Sequence, residues 1–523
     1  MLRKCKMTVY IFLAVFFATM CVVTLFFHAW STPTPKFTFQ NTFLLVIVAL
    51  IEFLSIILLR FAGRKFSVLT EGKFIFITLS VYIVIQIAYV FLFPLKQSSD
   101  SEAVVKFAQQ FLEGNFTSLE PGHYLSYYPQ NIGITLYFSL LYSFLPKTYI
   151  TLRLFNIVYS TITAWIVFKL YKETVPTKKK DEYGVLLLAV LFLPAIILDN
   201  YTYGDVISCM FCLAAIMHSI KFVRTHKMKH AVYTAIFLML GNFTRGVTLL
   251  FLIAILLFWF IKGIIEKKVS LKRVAVAIIL TVAIFNLPLQ IFNIVGVSSG
   301  TLKAPVGKHS NPTVGWINIG FPYNEKIGYF ESSRNAKVFI KLKNDRKKAS
   351  EFLINDIKKK LKNSGTAKIL EGYAKKTFWV WTEGTYQVNF YGFGQSKSIN
   401  KNYLYETPLV KYAKSGDTAF RAFLTWSLHS LNWLLLFLLL IYLVYSIKRK
   451  DYSLEIFMYI IFLYIGFYMI WEIKSRYLFG LYPILIIVAF NSIGQLLEMA
   501  KKMYIARYKA YYWSFFGNYK GSL

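Results

Sequence analysis

Apolar runs close to twenty residues long recur from one end of this chain to the other, and short clusters of lysine and arginine stand between them. About 20 helical residues cross the hydrocarbon core of a bilayer, and lipid offers no partner to a free backbone N–H or C=O, so such runs are expected to be membrane helices. A membrane β-barrel would alternate apolar and polar residues instead. Composition agrees: the 523 residues are 56% hydrophobic and 18% aromatic, beyond what a soluble globular chain carries. The expected fold class is therefore an all-α polytopic membrane protein with the lipid bilayer as its solvent. The formal charge of +34 does not point to nucleic acid, because the lysines mostly lie between the apolar runs, where retention on the cytoplasmic side accounts for them.

Apolar spans are expected at about 8–29, 42–60, 74–94, 149–170, 184–198, 206–223, 230–243, 246–262, 273–296, 423–446, 454–471 and 477–498. The first follows Arg3, Lys4 and Lys6, and reads as a retained helix because no small-residue cleavage site follows it. Arg60, Arg64, Lys65 and Lys73 lie between the second and third spans. If these basic clusters are cytoplasmic, the loop after residue 94 is external. Residues 132–147 are apolar but short, and if they re-enter rather than cross, every later basic cluster also faces inward. About twelve crossings then leave both termini in the cytoplasm of a cell-membrane protein. The organisation this implies is an N-terminal helix pair (1–73), a membrane module (74–296) with an external loop (95–148), an extracytoplasmic insert (297–422), C-terminal membrane helices (423–500) and a basic tail (501–523). Within the insert, Asn335 to Leu361 and Thr366 to Trp381 read as helices. Cys5, Cys21, Cys209 and Cys212 fall in or beside apolar spans and offer neither a disulfide framework nor paired metal-ligand spacing.

On this topology the ionisable residues at outer helix ends share one face: Asp100 and Glu102, Arg153, Asp199 and Asp205, Arg245, and Glu472, Lys474 and Arg476. Taken singly, Asp205 reads as a helix cap and each arginine as a snorkelling side chain. Jointly they suit transfer to a hydroxyl, in which a carboxylate takes the proton while fixed cations offset charge on a leaving phosphate. Asp100 is the expected general base, with Glu102 and Asp205 as catalytic candidates beside it. Arg476, Lys474, Arg245 and Arg153 are the candidates for the donor phosphate. No cofactor is expected. Asp100 and Glu102 as hard oxygen ligands for a divalent metal form the alternative.

The residues also resemble a family, the GT-C polytopic glycosyltransferases, close to the protein O-mannosyltransferases and bacterial aminoarabinose transferases. The likeness covers most of 74–298 and the stretch near 470–490. It rests on the acidic loop at Asp100, the Tyr-rich Tyr124 to Asn131 segment, the Leu-Tyr-Ser-Phe-Leu-Pro146 stretch, Arg153 in the next helix and Asp199-Asn-Tyr-Thr-Tyr-Gly-Asp205 as a second acidic loop. Thr244-Arg-Gly246 and Trp471-Glu-Ile-Lys-Ser-Arg-Tyr477 complete it, the latter resembling an Arg-Tyr motif of Gram-positive relatives. The resemblance implies a GT-C-like fold and a polyprenyl-phosphate sugar as donor. It further implies an extracytoplasmic cell-envelope acceptor (glycopolymer, lipid or protein), inversion at the anomeric carbon, and substrate contacts from His123, Tyr128, Asp199 and Tyr203. In the insert, Gly315-Trp-Ile-Asn-Ile-Gly320 and Trp379-Val-Trp-Thr-Glu-Gly384 resemble loops that shape an acceptor site, against ordinary core as the plainer role of these tryptophans. A lipid-linked saccharide flippase, or a non-catalytic subunit of an envelope-assembly complex, are the competing readings of the same helices.

Overall fold

The computed structural model describes residues 2–32, 34–175, 182–329, 332–393, 402–413 and 419–517. Its main elements in chain order are α1 (Leu2–Phe26), β1 (Phe27–Thr32), β2 (Thr34–Phe39), α2 (Thr42–Lys65), α3 (Glu71–Leu92), α4 (Asp100–Leu112), α5 (Ile132–Tyr142), α6 (Tyr149–Thr174), α7 (Tyr183–Val190), α8 (Leu193–Leu198), α9 (Gly204–Thr225), α10 (Met228–Thr244), α11 (Thr248–Phe260), α12 (Leu271–Ile284) and α13 (Leu287–Ser298). There follow α14 (Thr313–Gly320), α15 (Ser332–Lys341), α16 (Arg346–Ser364), α17 (Thr366–Thr382), α18 (Ala419–Arg449), α19 (Glu455–Ile470) and α20 (Tyr482–Gly517).

Among the described residues nine helices are long and apolar enough to cross a membrane: α1, α2, α3, α6, α9, α11, the α12–α13 pair, α18 and α20 with the turn before it. The chain is a multi-pass helical membrane protein. The other three expected spans are shorter helices. α10 has 17 residues and α19 has 16, and 184–198 is split into α7 and α8 where Pro194 opens a new helix. Of the apolar stretch 132–147 only α5 is helical, 11 residues or about 16 Å, roughly half a hydrocarbon core.

α9 and α20 run through the middle, while α2 and α3 line the rim and turn large apolar side chains such as Leu50, Leu54, Phe76 and Val84 outward. That is what a helix against lipid does, since acyl chains are as apolar as leucine. Two local expectations change. The segment 27–39 is an antiparallel hairpin, Phe27 facing Phe39 and Trp30 facing Lys36, and the Trp379 indole donates to the Trp30 carbonyl at 2.7 Å, tying it to α17. The single helix expected over 335–361 is two, because Lys343 and Asn344 take left-handed backbone conformations and the Asp345 carboxylate accepts from the Lys347 and Lys348 amides to start α16.

Candidate active site

Two close helix crossings build the site. A Cβ on Gly204 would meet the Thr244 carbonyl oxygen at 2.1 Å, and one on Gly133 would meet the Phe243 carbonyl oxygen at 1.8 Å. Only glycine lets the starts of α9 and α5 lie directly on the end of α10. The first crossing sets Asp205, in the opening turn of α9, beside Arg245, the residue that ends α10.

Asp205 bridges two guanidinium groups, Arg245 Nε at 3.3 Å from one carboxylate oxygen and Arg476 Nη1 at 3.4 Å from the other. Arg476 also donates to the Tyr201 hydroxyl and lies over the rings of Tyr391 at 4.3 Å and Tyr201 at 4.9 Å. Arg245 lies over Tyr203 at 4.7 Å and Tyr477 at 5.5 Å. The Tyr477 hydroxyl donates to Glu472 at 2.7 Å. Lys474 completes the group: burial and the adjacent Arg476 hold its ammonium below the ordinary lysine range, opposed by Glu472 and Asp100. Burial likewise raises the Glu472 carboxyl, opposed by Lys474.

Asp100 stands at the first position of α4, half-buried, where an acid suits the positive end of the helix. The Tyr124 hydroxyl donates to it at 2.7 Å, the only hydrogen bond to its side chain among the described residues. The chain continues: the Asn131 amide donates to the Tyr124 oxygen at 2.9 Å, the Tyr203 hydroxyl donates to Asn131 Oδ1, and the Tyr203 ring lies under Arg245. Hydrogen bonds from Asp100 to Tyr203, closed by the Tyr203 ring against Arg245, thus join the half-buried carboxylate to the arginine pair. Tyr128 meets Tyr124 at 5.0 Å and Trp316 at 5.9 Å with tilted rings, and Trp316 stacks on Trp471 at 6.2 Å, forming an aromatic wall.

No family model matches the chain, and no curated protein does.

Of the sequence-derived candidates, Asp100, Asp205, Arg245, Lys474, Arg476, Tyr128 and Tyr203 come together. Four do not. Glu102 is exposed and its electrostatic neighbour is Tyr149; two residues on a helix turn about 200°, so Asp100 and Glu102 point apart and do not form a shared pair of metal ligands. Among the described residues there is no cluster of three metal-ligating side chains. His123 is exposed beside Glu120, which pairs with Lys303 at 2.8 Å. Arg153 is fully buried, donates to the Leu95 carbonyl and lies 6.0 Å from the Tyr149 ring, so it clamps the exit of α3. Asp199 is also fully buried, its carboxylate taking hydrogen bonds from Gln86 and Ser160 and its carbonyl one from Asn156 at 3.1 Å. It ties α3 to α6.

Sequence reasoning assigned no role to Tyr201, Tyr391 or Asn131. The first and last lie inside motifs already singled out. Tyr391 comes from the insert and carries no local signal. Trp379 and Trp381 are core, whereas Trp316 lines the site.

Proposed function

We propose that the chain is a GT-C-type glycosyltransferase with about twelve crossings, moving a sugar from a polyprenyl-phosphate donor to an acceptor hydroxyl on the outer face of the cell membrane. The observation that carries this reading is the line from Asp100 through Tyr124, Asn131 and Tyr203 to the paired Arg245 and Arg476. In a single displacement the acceptor oxygen bonds to the anomeric carbon as the bond from that carbon to the phosphate oxygen breaks. The phosphate leaves with the electron pair and the hydroxyl proton passes to Asp100. Arg476, Arg245 and Lys474 offset the charge that grows on the phosphate, in a tyrosine-walled site where such contacts act more strongly than in water. Asp205 aims both arginines and is a positioning residue, since each of its oxygens is already committed.

Room for part of a lipid-linked group opens beside Gly246, the residue after Arg245. A cavity of about 200 Å³ lies between Pro129 and Gly133 on one side, Asn242, Phe243 and Gly246 on another, and the kink where α12 breaks into α13 at Pro288. The test is purified protein supplied with polyprenyl-phosphate sugars, following free lipid phosphate. Release of lipid phosphate with sugar on the acceptor supports a transferase; movement of intact donor across the bilayer without release would establish a flippase and end this reading.

A further inference from the structure

One helix of the insert carries a strongly basic surface. In α16 the side chains of Ala349, Leu353 and Lys360 are buried, and Lys360 is neutralised by Asp356 at 2.9 Å. At roughly 100° per residue, the sector opposite that seam holds Lys347, Lys348, Lys358, Lys359 and Lys362, all exposed, with Glu351 as the acid among them. Lys347, Lys358, Lys359 and Lys362 make no ion pair among the described residues, and Lys348 reaches Asp345 only at 3.8 Å. Unpaired lysines held together on one helix raise the local potential and attract a polyanion.

This surface is joined to the site. The Tyr127 hydroxyl donates to Asn344 at 3.0 Å, the Tyr127 ring meets Phe339 at 5.5 Å, and Tyr127, Phe339 and Ala349 form one small core with Tyr128 against it. Tyr127 belongs to the same short helix as Tyr124, the residue bonded to Asp100. Ala349 belongs to the buried seam, so the lysine sector lies on the far side of α16 from Tyr127. A polymer held there would pass round the helix, along the aromatic residues Tyr128 and Trp316, to bring a hydroxyl to Asp100. Flat aromatic faces of that kind suit the apolar faces of sugar or polyol units.

Resting on the transferase reading, we propose that the acceptor is a phosphate-bearing envelope polymer, and that α16 holds its anionic backbone while a hydroxyl reaches Asp100. An anionic leaflet is the other polyanion within reach. A helix that settles into lipid turns its apolar stripe toward the acyl chains. α16 instead confines its exposed apolar side chains to the two margins, Phe352 on one and Ile354 and Leu361 on the other, and turns lysines outward.

The test uses full-length protein in zwitterionic nanodiscs and a fluorescent poly(glycerol phosphate) chain, with neutral dextran of equal length and phosphatidylglycerol vesicles as comparisons. Poly(glycerol phosphate) should bind with an affinity that falls as salt rises, and dextran should not bind. Combined Lys347→Gln, Lys358→Gln, Lys359→Gln and Lys362→Gln should weaken binding about tenfold or more at unchanged Tm, and arginine at the same four positions should restore it. Wild-type affinity in the glutamine variant, equal binding of dextran, or stronger lysine-dependent capture of the vesicles would each overturn the proposal. Turnover separates the two readings: if wild-type protein releases lipid phosphate, the glutamine variant raises KM for the polymer and leaves kcat alone. If wild-type protein releases none, the transferase reading fails while the binding result stands.

Discussion

At one end of the bundle Lys6 of α1, Lys262 and Glu266 after α11, and Glu455 of α19 interlock; at the other, Asp205, Arg245, Arg476, Lys474, Glu472 and Asp100 share a chamber of tyrosines. In the first group each of the four carboxylate oxygens meets an ammonium. Lys6 pairs with both glutamates and so does Lys262, the Lys262–Glu266 contact being 2.9 Å. The second is left open: among the described residues Arg476 Nε and one Glu472 oxygen are buried with no hydrogen-bond partner, and the Asp100 side chain takes one hydrogen bond, from a phenol. A closed network of buried charge fastens helices, because each group replaces its lost hydration with a fixed partner. An open one keeps hydrogen-bonding groups in reserve, as the proposed transfer would require for a phosphate ester and an acceptor hydroxyl.

The comparison breaks most sharply at Asp100. Asp100→Asn should lower lipid-phosphate release by ~100-fold to 10,000-fold with donor affinity and Tm unchanged; turnover near wild type in the inserted variant would remove the carboxylate from the chemistry. At the closed end Glu455→Gln should do the opposite, costing stability of about 3–5 kcal/mol because two ammonium groups lose a partner while turnover per folded molecule holds. A thermal-unfolding series beside a rate assay separates these. Arg476→Lys keeps the charge but loses the planar fork and the stacking on Tyr391, so kcat/KM for the donor should fall about tenfold or more; equal donor kinetics would pass the phosphate role to Arg245.

A pH series sharpens the same contrast. Burial would raise the Glu266 carboxyl, but hydrogen bonds from Lys6 and Lys262 bring it down to about 2 from an ordinary 4.5. A depressed folded value means that this stabilisation is complete above the unfolded value and is lost as pH falls from about 4.5 toward 2. Tm should therefore drop across that window, and Glu266→Gln should flatten the drop; a parallel acid limb in the variant would show that the pairing does not control it. The smallest effect belongs to Glu102→Gln, which should change turnover by less than about twofold, as surface substitutions do, because its side chain leaves α4 on the side away from Asp100.

Much of this architecture is legible in the order of residues alone. Apolar runs of bilayer length, separated by lysines, require spanning helices whatever their packing, since lipid satisfies no backbone group. Parity of crossings then brings Asp100, Asp205, Arg245, Lys474 and Arg476 to one face before any contact is known, because a charge at a helix end has only two sides of a membrane to choose between. Tertiary structure decided which charges on that face meet. Helical phase turned Glu102 away from Asp100, the pull of Gln86 and Ser160 drew Asp199 into the bundle, and Arg153 was spent on the Leu95 carbonyl. Tyr391 reached Arg476 from the insert, a meeting no local pattern could signal. Hydropathy is a property of each stretch and survives in one dimension. The direction of a side chain and the partner it finds depend on the phase of its helix and on segments far away in sequence, and those are set only when the helices pack.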